Sequence, residues 1–147
     1  MRDLHNSVRV LRCIDPQAVG TSGAGNGVLS EVIDRQGFES AEFVFLYGTS
    51  TATGDTTDVI LYESDTTTTG DFTAVADADM LGTEAAAGSP AGAVSGTSIN
   101  LASKLGYRGN KRYLRVRIYG TGHATGLVGC AAVLSHPHKA AVSATPA

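Results

Sequence analysis

Residues 113–119, Tyr-Leu-Arg-Val-Arg-Ile-Tyr, alternate without a break, and this alternation constrains the fold more than any other feature of the chain. Leu114, Val116 and Ile118 fall on one parity, while Tyr113, Arg115, Arg117 and Tyr119 fall on the other. Successive side chains of a strand point to opposite faces, so this is a β-strand with one apolar and one basic, aromatic face. The rest of the chain repeats the theme as short apolar runs separated by Gly, Thr, Ser and Asp. Candidate strands are 7–14 (SVRVLRCI), 28–34, 40–48 (SAEFVFLYG), 56–64, 72–75, 97–106, 111–120 and 126–136. The run at 40–48 is almost continuously apolar, as a central strand buried on both faces would be. Asp15-Pro16 reads as a turn, and 28–34 carries apolar residues on both parities. Segment 76–96 is rich in Ala and Gly and reads as a long surface loop.

About eight strands and no substantial helix predict an all-β protein, arranged as a jelly-roll or Greek-key β-sandwich. The 147 residues fit one domain. The boundaries are 1–14 as an N-terminal strand or arm, 15–136 as a single sandwich, and 137–147 as a flexible C-terminal tail. The arm, if free, would add an edge strand to a neighbouring subunit.

Charge narrows the partners. The net charge is −3 and charged residues make up 17% of the chain, below the roughly 25% of an ordinary soluble domain. A general polyanion binder would carry a basic excess, so nucleic acid is not an expected partner. Five of the eleven Lys and Arg residues do fall within 107–122. On a strand face they have three possible roles: stacking nucleic-acid bases, pairing with carboxylates on a neighbouring strand, or forming a protein interface. No apolar run approaches the roughly 20 residues of a membrane span, and the N-terminus has no signal-peptide core.

Catalytic and metal-binding patterns are weak. The glycine patterns GAGNG (23–27) and GTGHATG (120–126) do not sit between a strand and a helix, so they read as turns. His136 and His138 with His123 or His5 lack a carboxylate or Cys at ligand spacing, and Asp77, Asp79 and Glu84 lack calcium-loop spacing. No cofactor, small-molecule substrate or enzymatic activity is expected. Cys13 and Cys130 lie in apolar strands near the two ends of the chain. They read as two buried thiols, with a bridge between first and last strands as the alternative.

Two stretches carry a resemblance. Residues 46–82, containing Leu61-Tyr62-Glu63-Ser64-Asp65 and Phe72 to Gly82, and residues 105–140, from YRGNKRYLRVR to AVLSHPHKA, resemble a family of small virion proteins of tailed phages. The similarity runs from about Gly37 onward and rests on overall sequence texture. It implies a capsid decoration (cement) protein, a β-sandwich that forms a homotrimer and clamps neighbouring subunits of the major capsid protein. Its place would then be the outer capsid surface of the virion, reached after assembly in the host cytoplasm. The chain departs from the family frame in its longer loop at 83–96 and in its two cysteines, which leave room for covalent reinforcement. With this resemblance, Arg115, Arg117, Tyr119 and Tyr113, together with Val8 and Val10 of the N-terminal segment, are the expected interface residues. The alternatives are a minor head–tail, neck or tail component, or a host-glycan-binding sandwich. The lack of Trp and the presence of only nine aromatic residues disfavour glycan binding.

Overall fold

The computed structural model describes residues 4–19, 27–48, 56–88, 101–121 and 127–138. Ten strands form two antiparallel sheets: β1 (Val8–Ala18), β2 (Val28–Leu29), β3 (Ile33–Asp34), β4 (Phe38–Tyr47), β5 (Thr56–Ser64), β6 (Thr73–Ala74), β7 (Met80–Leu81), β8 (Leu101–Tyr107), β9 (Tyr113–Thr121) and β10 (Leu127–Pro137). One sheet has the order β1-β10-β4-β8-β7, and the other β2-β9-β5-β6, with β3 also paired to β9. The first strand therefore pairs with the last, β2 with β9, β4 with β8, and β5 with β6. This nested pairing is that of a long hairpin rolled across two sheets, the jelly roll. The expected eight-strand frame is present; β3 and β7 are two-residue additions to it.

The core lies between the inner faces of the sheets. Leu114, Val116 and Ile118 are fully buried, as their parity requires. Phe43, Phe45 and Tyr47 of β4, Leu105 and Tyr107 of β8, and Val128, Ala132 and Leu134 of β10 close on them from the other sheet. Each large apolar side chain buried in this way contributes about 1.5–3 kcal/mol. The structure corrects the expectation that β4 is buried on both faces. Its burial alternates, and Leu46 is 60% exposed.

Three local readings also change. Asp15 and Pro16 do not form a turn but continue β1, with register irregularities between Arg12 and Ile14 and between Ile14 and Gln17. Proline is tolerated there because β1 is the edge of its sheet and its nitrogen need not donate to a ladder. The 1–14 segment is thus no detached arm over its described part: Val8 onward is the first strand of the sandwich. Residues 28–34 form two short strands rather than one. Between them the Ser30 hydroxyl accepts the Val116 N–H (2.9 Å) and Glu31 N–H donates to the Cys13 carbonyl (3.2 Å), so this segment ties one sheet to the other.

Part of the supposed loop 76–96 is ordered secondary structure: β7, then a short helix α1 (Glu84–Gly88). Ala runs favour a helical turn, and this one is held by tertiary bonds. Glu84 accepts the Leu61 N–H (2.7 Å), while Tyr47 and Ser103 hydroxyls both donate to the Ala87 carbonyl (2.6 Å each). Burial pushes the Glu84 carboxyl above its ordinary range. Residues 89–100 and 139–147, including Ile99 and nearly all of the expected tail, lie outside the described residues, as do 20–26, 49–55 and 122–126.

Gly88 marks the closest approach of α1 to β5. A Cβ there would stand 2.5 Å from the Thr57 carbonyl oxygen and 2.9 Å from Asp58 Cα, both rigid backbone atoms. Gly88→Ala is expected to lower unfolding free energy by about 1–3 kcal/mol in urea titrations. Gly70→Ala, whose Cβ meets nothing within 4 Å, is expected to change it little; equal effects would contradict this packing.

Candidate interaction surfaces

The basic stretch 107–117 is built into the fold by local partners. Arg112 forms a two-pronged pair with Asp34 (2.9 and 2.7 Å) and lies 4.8 Å from the Tyr113 ring centre. Lys111 pairs with Asp65. Arg35 reaches across from the β3–β4 turn, donating to the Gly109 and Lys111 carbonyls, with its guanidinium 5.1 Å from the Tyr107 ring centre. Tyr107 donates to Glu63 and accepts the Lys111 N–H (2.9 Å). Burial, then the Glu63 carboxylate, raises the Tyr107 phenol, so it stays a protonated donor. Sequence reasoning missed Arg35 because its partners lie more than 70 residues away and no local pattern marks it.

Arg115 and Arg117 project from the outer face of β9 and are half-buried. Arg115 donates twice to the Ser30 carbonyl (3.1 and 3.0 Å) and lies 5.6 Å from the Phe72 ring centre. Arg117 lies 5.6 Å from the Tyr62 ring centre. Both arginines therefore lie over aromatic rings of other elements, Phe72 and Tyr62, rather than over the Tyr113 and Tyr119 of their own strand. Together with Leu29 and Thr69 these four side chains line a shallow cleft of about 150 Å³. Ligand pockets run to roughly 300–1,000 Å³, so this cleft is sized for a single side chain. Tyr119 stands opposite Asp58 and beside Gly27, and Tyr113 opposite Ser64.

Val8 and Val10 lie on the other sheet, so the expected interface residues occupy opposite sides of the sandwich. Register places Val10 beside Val133, which is followed across the sheet by Glu42, Gly106 and Leu81. The next row on that face is Arg12, Ala131, Val44 and Lys104; the one after it is Gly129, Leu46 and Ala102. Val10 is 64% exposed, Leu46 60% and Leu81 53%. Apart from Arg12, which pairs with Asp15 (3.1 Å), and the Glu42–Lys104 pair (4.0 Å), the residues of these rows are apolar or Gly. The sequence signal for this face is the apolar residues on both parities of β4, which serve as outer surface rather than as a second buried face.

The remaining singled-out residues have structural partners. His136 Nδ1 hydrogen-bonds the hydroxyls of Ser40 (2.8 Å) and Ser135 (3.1 Å), and His138 faces Glu39 (3.1 Å). His123 lies outside the described residues. Among the described residues, no group of three or more His, Cys, Asp or Glu side chains is placed to hold a metal ion. Among the described residues, no helix is long and apolar enough to cross a membrane.

The Arg112 pair makes a pH-dependent contribution. Its hydrogen bond, opposed by partial burial, holds the Asp34 carboxyl below its ordinary range. A depressed folded-state value gives stability that is present above the ordinary carboxylate range, near pH 4, and lost as pH falls through the lowered value. Asp34→Asn is expected to show a shallower acid-induced loss of stability than the parent between about pH 4 and pH 2, read from urea midpoints across that range. Parallel profiles would refute the assignment. Compared with protein-family models and with curated proteins, the chain matches none.

Proposed function

We propose that the chain is a structural protein of a tailed-phage virion, a decoration protein that trimerises on the outer capsid surface and bridges neighbouring major capsid subunits. The observation that carries this reading is the mostly apolar outer face of the β1-β10-β4-β8 sheet, with Val10 and Leu46 each more than half exposed. Contiguous apolar surface of this kind marks protein contact more often than it marks an isolated monomer. The resemblance of residues 46–82 and 105–140 to small virion proteins supplies the kind of partner. A jelly roll by itself decides nothing, since the fold hosts capsid, lectin and enzyme domains alike.

The arrangement suits a cement. Two chemically distinct faces on opposite sides of a rigid sandwich allow one side to meet a sister subunit while the other meets the capsid. Each contact can be individually weak, because binding at one raises the effective concentration at the next. On this reading the apolar face of the β1 sheet is the main contact, and the Arg115, Arg117, Tyr62 and Phe72 face receives single side chains from a second partner.

Val10→Glu combined with Leu46→Glu places two charges on the apolar face at positions the core does not use. Each lost apolar burial is worth on the order of 1.5 kcal/mol or more, about tenfold in affinity. The double variant is therefore expected to load at least about tenfold more weakly onto undecorated capsids and to lose its trimer in sedimentation, with an unchanged circular-dichroism melt. Full loading by the folded double variant would sink the assignment of this face. Arg115→Glu is a poorer probe, because it also removes the anchor on the Ser30 carbonyl, next to Glu31, whose N–H bonds the Cys13 carbonyl of the other sheet.

A further inference from the structure

Cys13 and Cys130 meet where the register of β1 on β10 slips. Arg12 stands opposite Ala131 and Ile14 opposite Cys130, so Cys13 is the extra residue of a β-bulge. Such a bulge turns two consecutive side chains to the same face, and Cys13 and Ile14 are both buried. Cys130 is buried on that same inner face, in line with Val128, Ala132 and Leu134. The two thiols therefore face each other under the edge of the sheet, 2% and 5% exposed, and both are free. Cys13 precedes Ile14, the residue that register places opposite Cys130, so the two thiols are neighbours on the inner face, and a disulfide requires their Cα atoms to come within roughly 4.4–6.8 Å.

We propose that Cys13 and Cys130 are an oxidisable pair that closes to an intramolecular disulfide on exposure to a peroxide, stapling the first strand of the jelly roll to the last. The chemistry assigns each sulfur a role. The pairing with the Cys130 thiol, opposed by burial, holds Cys13 below its ordinary range, while the same pairing and burial raise Cys130. Cys13, at the bulge of the outermost strand, is assigned as the nucleophile. Its thiolate attacks a peroxide oxygen, the O–O bond breaks, and the products are a sulfenic acid on Cys13 and hydroxide, which takes up the proton Cys13 released. The Cys130 sulfur then attacks the Cys13 sulfur. The S–S bond forms, the sulfenic hydroxyl leaves, and it departs as water with the Cys130 proton. Two electrons pass from the thiols to the peroxide, giving one disulfide and two waters. β1 is the outermost strand of its sheet, so local opening of that edge admits so small an oxidant.

The staple encloses nearly the whole chain. A long closed loop removes much of the freedom of the unfolded ensemble, and the cross-link stops the edge strand from peeling off. The full-length chain, reduced and then treated with hydrogen peroxide, is the test sample. It should be denatured and alkylated without reductant, weighed intact and melted in parallel. The expected result is a monomer lighter by two hydrogens with no alkylatable thiol. Its melting midpoint should be higher by about 10 °C and return on adding dithiothreitol. Cys13→Ser and Cys130→Ser should each show no peroxide-dependent rise. Two thiols still alkylatable, oxygen adducts on sulfur, cross-linked dimers, or an oxidised monomer that melts no higher would each overturn the proposal. None of these readouts involves a capsid, so the pair stands or falls separately from the decoration role.

Discussion

The pairing of the first strand with the last is the constraint on which the molecule depends. β1 lies along β10 from Val8 to Ala18, and β10 in turn lies along β4, so the first and last described strands form one side of that sheet, with β1 at its edge. Every inner pairing of the roll is nested inside this one. Once the sheets close on Phe43, Phe45, Leu114, Val116, Ile118 and Leu134, the period of two leaves the outward-facing residues no choice of side. The bulge at Cys13 belongs to the same constraint. It adds one residue to the edge strand and brings the Cys13 carbonyl to Glu31, where the chain crosses between sheets.

The outward faces that result are unlike. On the β9 side, cations are laid over aromatic rings and bonded to carbonyls or carboxylates of the same chain, which fixes their geometry and lowers the entropic cost of engaging a partner. On the β1 side, the surface is mostly apolar, and its charges pair with one another, Arg12 with Asp15 and Glu42 with Lys104. Rigid cationic shelves and mostly apolar faces are different kinds of contact. A protein carrying both on opposite sides is suited to joining two different surfaces, which is the physical content of the decoration reading.

The alternation of 113–119 sufficed to place Leu114, Val116 and Ile118 in the core and the arginines outside, because strand period depends only on local backbone geometry. The all-β class and the positions of eight strands are legible for the same reason, whereas their order, open between a jelly roll and another Greek-key sandwich, is fixed by pairings distant in sequence. Strand breaks were harder. Asp15-Pro16 has the composition of a turn, yet an edge strand with a bulge accommodates it, and edge position is a tertiary property. The Glu84–Gly88 helix is stabilised by Tyr47, Ser103 and the Leu61 N–H, none of them nearby in sequence. For the candidate surfaces, the sequence supplied Arg115, Arg117, Val8 and Val10 but could not show that they lie on opposite sides. It missed Tyr62, Phe72, Val44 and Leu46 because their shared faces are created by register alone.

The central claim concerns assembly, so the most direct measurement is one of stoichiometry. On the decoration account, it is the number of copies of this chain per major capsid subunit in purified virions. The decoration account predicts a copy number on the scale of the whole capsid lattice, with trimers at repeating positions. A single ring's worth of copies would move the protein to the neck or tail, and its absence from the particle would contradict the account outright.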